Sequence, residues 1–292
     1  MYGYFVERKM IGDFPYTDLA LERRRADTSV SGVKYTQTNC PCGSWERLII
    51  STKSGAESIG RPIGSYNTLN LQRMDMLDSA EIDDAKGEIA KELCDMLDDL
   101  DIFPERILVS GLGNPNLTPD SVGARCANAV KPTMHIKDFD VNIFESLNCA
   151  EIAVCAPGVA ATSGLDAAVV LRGICDIIKP NAVIAIDALA SMSPHRLGRT
   201  IQICNTGISP GSGIGNPKIA ISEETLGVPV IAVGIPTVID SRHLCSDRGN
   251  KDYVIKNATE AMFVSPKEID DIVKSAAEIV GGGINMAFGI FV

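Results

Sequence analysis

Two aspartates in unlike surroundings carry the most evident chemistry. Asp187 lies within Ile184-Ala-Ile-Asp-Ala-Leu-Ala190, an apolar run with β-branched residues that predicts a buried strand. An ionised carboxylate there is unfavourable unless it is paired, hydrogen-bonded or neutralised. That penalty marks Asp187 as a functional candidate. Asp120 follows Thr118-Pro119, which predicts a helix start with Thr as N-cap and Pro at the first position. One role for Asp120 is that of a first-turn acid, stabilised by about 0.3–1 kcal/mol through the helix dipole. The other is a base, held ionised by the helix N-terminus while it activates water. Paired, the two residues would form a two-carboxylate site. One acid is held ionised as base; the other, desolvated, is kept protonated as acid.

The pairing needs a frame. Residues 1–30 read as irregular and charged, with Thr17-Asp-Leu-Ala-Leu-Glu22 before Arg23-Arg-Arg25. Leu48-Ile-Ile-Ser-Thr and Tyr66-Asn-Thr-Leu-Asn-Leu71 read as a hairpin or two edge strands. Residues 79–101 carry apolar side chains at helical spacing among many acids, an amphipathic helix with a solvated face. Strands and helices then alternate. Strands are expected at 106–110, 151–156, 182–189, 200–204 and 229–235. Helices are expected from 118, over 164–179 and over 266–280. Strands without polar alternation, separated by helices, predict a mostly parallel sheet covered by helices on both faces, in a single α/β domain. Such sheets bind ligands at the carboxyl ends of their strands. Asp120 and Asp187 both fall near such ends.

Bulk properties exclude several classes. The chain has 292 residues, 45% hydrophobic, with net charge −10. A pI near 4.9 argues against a general nucleic-acid binder. No run of 18 apolar residues predicts a membrane span, and the first ten residues lack a signal-peptide core. Nine scattered cysteines without a C-x-x-C pair predict neither a zinc site nor a disulfide framework, and fit a reducing cytoplasm. The three histidines, His135, His195 and His243, are each isolated from other ligand types. No metal or cofactor is therefore expected. Gly207-Ile-Ser-Pro-Gly211 matches the serine-hydrolase elbow, with Asp240 and His243 following in triad order, but Pro210 replaces the helix that an elbow requires. Gly211-Ser-Gly-Ile-Gly-Asn216 resembles a phosphate loop and fails its last glycine.

Longer motifs carry a family likeness. Gly111-Leu-Gly-Asn114 and Thr118-Pro-Asp-Ser-Val-Gly123 come first. Ala156-Pro-Gly-Val159, Ile186-Asp-Ala-Leu-Ala190 and Thr200-Ile-Gln-Ile203 follow. Thr206 to Asn216 and Thr225 to Asp240 complete the series. From about Thr17 onward the chain resembles the germination proteases of endospore-forming bacteria, endopeptidases that degrade small acid-soluble spore proteins. The resemblance implies an aspartic-type peptidase of non-pepsin fold with Asp120 and Asp187 as the catalytic pair. It implies a fold similar to the hydrogenase maturation peptidases, which use bound metal. It also implies a zymogen that cuts itself between Asp18 and Leu19, so that residues 1–18 are a propeptide and 19–292 the catalytic domain. Homotetramers in the cytoplasm of the forespore and spore core, acting on spore proteins and on neither nucleic acid nor membrane, belong to the same expectation.

The loop residues Ser212, Gly213 and Asn216, with Asn114, are expected to bind the peptide or the developing oxyanion. The chain departs from the family pattern at Ala160-Ala-Thr-Ser-Gly-Leu-Asp-Ala167, where Asp166 stands for the usual Glu, and at Asn205 and Ser209, where the family has Asp and His. Two alternatives follow. One is a metal-assisted peptidase using the same acids. The other is a binding relative that has lost catalysis.

Overall fold

A computed structural model describes residues 17–24, 30–215, 218–246 and 262–290. One mixed sheet organises them. Its strands are β1 (Val33–Cys40), β2 (Gly43–Ile50), β3 (Gly64–Leu71), β4 (Arg106–Gly111), β5 (Glu151–Cys155), β6 (Ala182–Ser191), β7 (Thr200–Cys204), β8 (Val230–Asp240) and β9 (Phe263–Val264). The path runs β1-β2-β3-β7-β8-β6-β4-β5, with β9 paired to β8. The β8-β6-β4-β5 half is parallel, as the alternation of strands and helices predicts. The β1-β2-β3-β7 half is antiparallel and joins β8 antiparallel as well. The sheet is therefore more mixed than its apolar runs suggest.

Helices cover the parallel half on both faces. On one face Ser79–Asp99, Val122–Ala129 and Ile269–Ala287 share a core with Ile107, Val109, Ile184 and Val233. Ser79–Asp99 starts at a capping box in which Asp78 and Glu81 satisfy each other's backbone N–H. On the other face Ala168, Leu171 and Cys175 of the helix Ala167–Ile178 pack on Leu108, Val183 and Ala185. Ala20 and Leu21 pack with Leu48, Ile50, Tyr66 and Ala232 in a third cluster.

Register sets up the site. Asp187 of β6 pairs with Gly234 of β8, which pairs with Gln202 of β7. The three lie in one row across the sheet, so the Asp187 and Gln202 side chains leave the same face. The β6–β8 register shifts between Leu189 and Ala190, an irregularity of the kind that re-aims a strand beside a site.

The helix Val122–Ala129 lies close against this strand because Gly123 has no side chain. A methyl group there would lie 2.4 Å from the Ile186 carbonyl oxygen and 2.5 Å from that of Leu112. These are backbone atoms and cannot move aside cheaply. Gly123→Ala is therefore expected to destabilise the chain by about 3 kcal/mol, the upper end for overpacking. A urea midpoint unchanged from the parent would contradict that.

Candidate active site

Asp187 sits in β6 with 5% of its surface exposed. Its Oδ1 accepts the Ala188 N–H at 2.9 Å. Burial pushes this carboxyl well above the usual carboxylate range; Asp120 and Asp18 push it the same way, and the Ala188 N–H opposes them. The like charges identify its neighbours: all three acids line one cavity of about 490 Å³.

Asp120 ends the single 3-10 turn Thr118–Asp120, which precedes the helix Val122–Ala129. Thr118 makes no capping bond; its carbonyl accepts the N–H and hydroxyl of Ser121 instead. Asp120 is held from the preceding loop, its Oδ2 accepting the Asn114 N–H at 2.7 Å. Burial raises its carboxyl, opposed by that one bond. The helix terminus is thus not what holds Asp120, contrary to the sequence expectation. The two aspartates still differ: Asp120 is half-buried, and only Asp187 is raised well above the ordinary value. Two neighbouring carboxyls shifted to such different extents are suited to unlike roles as acid and base.

The third acid arrives on the N-terminal segment. Asp18 donates its N–H to the Ala190 carbonyl, and its Oδ2 accepts the Ala190 N–H, both at 2.9 Å. The Ser212 hydroxyl donates to Asp18 Oδ1 at 2.6 Å. Ser212 therefore grips a side-chain carboxylate. Gly213 beside it provides the room, since a Cβ there would lie 2.1 Å from Asp18 Oδ2. Gly211 and Gly215, with φ of 73° and 72°, give this loop the left-handed bends that other residues rarely adopt. The carbonyl of Thr17 accepts from Arg61 at 3.0 Å and from Arg23 at 3.2 Å. Leu19 and Ala20 are fully buried, and the Ala20 N–H donates to Gln202 Oε1 at 2.9 Å.

Asp18, Leu19, Asp120, Asp187, Ser212 and Gly213 thus lie together, while Asn114 serves through its backbone. Asn216 lies outside the described residues. Sequence reasoning passed over Gln202, although it is a polar residue within the apolar run Thr-Ile-Gln-Ile-Cys, the same signal that marked Asp187. Of the departures from the family pattern, Ala160, Ala161, Asp166 and Ala167 line the cavity. Asp166 also caps the helix Ala167–Ile178 through the Ala168 N–H. Asn205 fastens β7 to β3 by accepting the Ser65 N–H at 2.9 Å. Ser209 sits on no strand-to-helix elbow, and its carbonyl accepts the Ser212 N–H. Among the described residues no group of three His, Cys, Asp or Glu is arranged to hold a metal ion, and no helix is long and apolar enough to cross a membrane.

An α/β chain that brings two unlike carboxyls to the ends of its parallel strands, with a peptide segment lying alongside, has the build of a hydrolase acting on polypeptide. Comparison with known proteins makes the class specific. Residues 17–262 match the family model described as germination protease. A germination protease of Clostridium perfringens is 33% identical over 93% of this chain and 94% of that protein. One from Caldanaerobacter subterraneus subsp. tengcongensis is 34% identical over 93% of each. One from Bacillus subtilis is 39% identical over 72% of this chain and 57% of that protein. The chain belongs to the germination protease family, a family of peptidases. Among solved structures, the [NiFe] hydrogenase maturation protease HycI from Thermococcus kodakarensis KOD1 is similar over 68% of this chain and 98% of that one, with TM-score 0.38 and 15% identity. At that level the likeness carries no chemistry across.

Proposed function

We propose that this chain is a self-processing endopeptidase that cuts on the carboxyl side of an acidic residue. Its substrates on this reading are the small acid-soluble proteins of spores, and its own Asp18–Leu19 bond is the first that it breaks. Residues 1–18 are then a propeptide and 19–292 the catalytic domain. The observation that carries the proposal is the seating of Asp18. An acidic side chain, held by Ser212 and the Ala190 backbone, lies in the cavity that Asp120 and Asp187 line.

The chemistry follows from the unlike acids. Asp120, as carboxylate, takes a proton from a water that attacks the Asp18 carbonyl carbon. Asp187, as neutral acid, donates a proton to the carbonyl oxygen. Collapse of the tetrahedral intermediate breaks the C–N bond, and the proton taken by Asp120 passes to the leaving Leu19 nitrogen. The oxyanion's proton returns to Asp187, so one water is consumed and both acids are restored.

Mass spectrometry of the purified chain tests this reading. The parent should lose residues 1–18 at a pH where Asp120 is ionised. Asp120→Asn should stay full length, with processing slowed by about 10²–10⁴, the usual range for a lost general base. Processing of Asp120→Asn at the parental rate refutes the dyad. A parent that never shortens favours the binding relative. Processing that stops on exhaustive chelation and returns with metal moves the same acids into a metal-assisted mechanism.

A further inference from the structure

Strand β8 carries a hydroxyl that the fold leaves without a partner. Thr237 is fully buried, and its Oγ1 has no hydrogen-bond partner among the described residues. Folding strips the hydroxyl of its hydration and returns no bond, which lowers stability. The hydroxyls of Thr68 and Ser110 are orphaned in the same way. Of these three, only Thr237 lines the cavity shared by Asp120 and Asp187. An orphaned hydroxyl in the wall of a reaction site is a donor held ready for a ligand.

The sheet places it there through an irregularity. Asp187 pairs with Gly234 and Leu189 with Pro236, but Ala190 pairs with Val238. Thr237 is the extra residue at that slip and has no partner on β6. A bulge of this kind re-aims a side chain beside a site. The donors nearest the acids are already engaged. The Ser212 hydroxyl holds Asp18, the Ala188 N–H holds Asp187 and the Asn114 N–H holds Asp120. In the two-acid mechanism the scissile carbonyl oxygen has one donor, Asp187. That oxygen gains charge as water adds to the carbon. A second donor fixed in a buried wall stabilises the charge without reorganisation.

We infer that the Thr237 hydroxyl donates to the scissile carbonyl oxygen and stays bonded to it through the tetrahedral intermediate. Its proton is shared and never transferred; Asp187 alone protonates the oxygen. The inference rests on the peptidase reading above. It deepens that reading by tying the stability forgone at Thr237 to catalysis. A hydroxyl orphaned by packing alone would make no difference to the reaction.

Thr237→Val removes the hydroxyl and keeps the branched shape. In full-length chains that also carry Asp120→Asn, Thr237→Val should raise the melting temperature by about 2–4 °C. Introduced alone, it should lower kcat on a peptide of residues 16–24 by about 10²–10³, the usual loss for one oxyanion donor, with KM little changed. Thr237→Ser should recover most of kcat. Thr68→Val removes an orphaned hydroxyl outside the cavity and should keep the parental kcat. Parental kcat in Thr237→Val overturns the inference. So does a lost kcat accompanied by a lower melting temperature, which would assign Thr237 to packing. Binding gives a readout apart from turnover. Two peptides of residues 16–24 are compared, with the scissile CO–NH replaced by CH(OH)–CH₂ or by CH₂–CH₂. The parent should bind the hydroxyl peptide more tightly, and Thr237→Val should cut that advantage by about tenfold. An advantage that Thr237→Val leaves intact overturns the inference. If the advantage is cut but no chain cleaves any peptide, the oxygen seat stands and the peptidase reading falls instead.

Discussion

Asp187→Asn should abolish self-processing and, at neutral pH, melt at a higher temperature than the parent. Loss of the acid removes proton donation at the carbonyl, worth about 10²–10⁴ in rate. The gain in stability comes from the same burial. Desolvation and the charges of Asp120 and Asp18 raise this carboxyl well above its ordinary value of 3.8. The folded chain therefore holds the Asp187 proton over a range where the unfolded chain has released it. Proton linkage then lowers folded-state stability as pH rises from about 3.8 through the raised value, and the loss persists above it. Asparagine has no proton to lose, and its side-chain oxygen can still accept the Ala188 N–H. The variant's advantage should thus vanish below about pH 3.8 and grow as pH rises. Calorimetric melting of both chains from pH 3 to 8 measures it. A difference that is flat across that range, or that favours the parent at neutral pH, would sink the account of Asp187 as a neutral buried acid.

That account was legible in the sequence because a charge inside Ile-Ala-Ile-Asp-Ala-Leu-Ala has few structural explanations. The parallel strands were legible for a related reason: β4, β6 and β8 are buried on both faces and read as largely apolar runs without polar alternation. What escaped has equally physical causes. β1, Val-Lys-Tyr-Thr-Gln-Thr-Asn-Cys, is an edge strand with no fully buried residue and with Thr36 to Asn39 all exposed, so no core pattern marks it. Asp120 sits where local pattern promised a helix cap, yet a loop amide six residues earlier holds it, and such a bond depends on tertiary approach. The seat of Asp18 is made in part from the Ala190 backbone N–H. Backbone donors have no side-chain signature, so only the fold reveals them. Asp18 itself was found through the family likeness rather than through spacing.

Gly213→Val should stop self-processing without unfolding the chain. Gly213 is the middle residue of the turn Ser212–Ile214, and its own φ is not in the left-handed region, so a branched side chain suits its backbone. The obstacle is contact. A Cβ there would lie 2.1 Å from Asp18 Oδ2, 2.5 Å from Asp18 Cγ and 2.8 Å from Ala190 Cβ. Ala190 belongs to the central strand and cannot retreat, whereas the Asp18 carboxylate can leave. Its departure forfeits the bonds from Ser212 and the Ala190 N–H. Hydrogen bonds to a charged group contribute about 1.5–3 kcal/mol each. Two of them correspond to about 10²–10⁴ in processing rate. Ser212→Ala removes one bond and leaves the space open, so it should slow processing only about tenfold. The order of effects separates the seat from general damage to the loop, since a loop that merely unravels would treat an acid and an alanine before the cut alike. The parent should strongly prefer the acid in a peptide of residues 16–24. Gly213→Val should lose that preference while still unfolding in one cooperative transition, at a melting temperature lowered by the lost Asp18 bonds. Parental processing by Gly213→Val, or an acid preference that survives it, would show that this cavity does not read the residue before the cut.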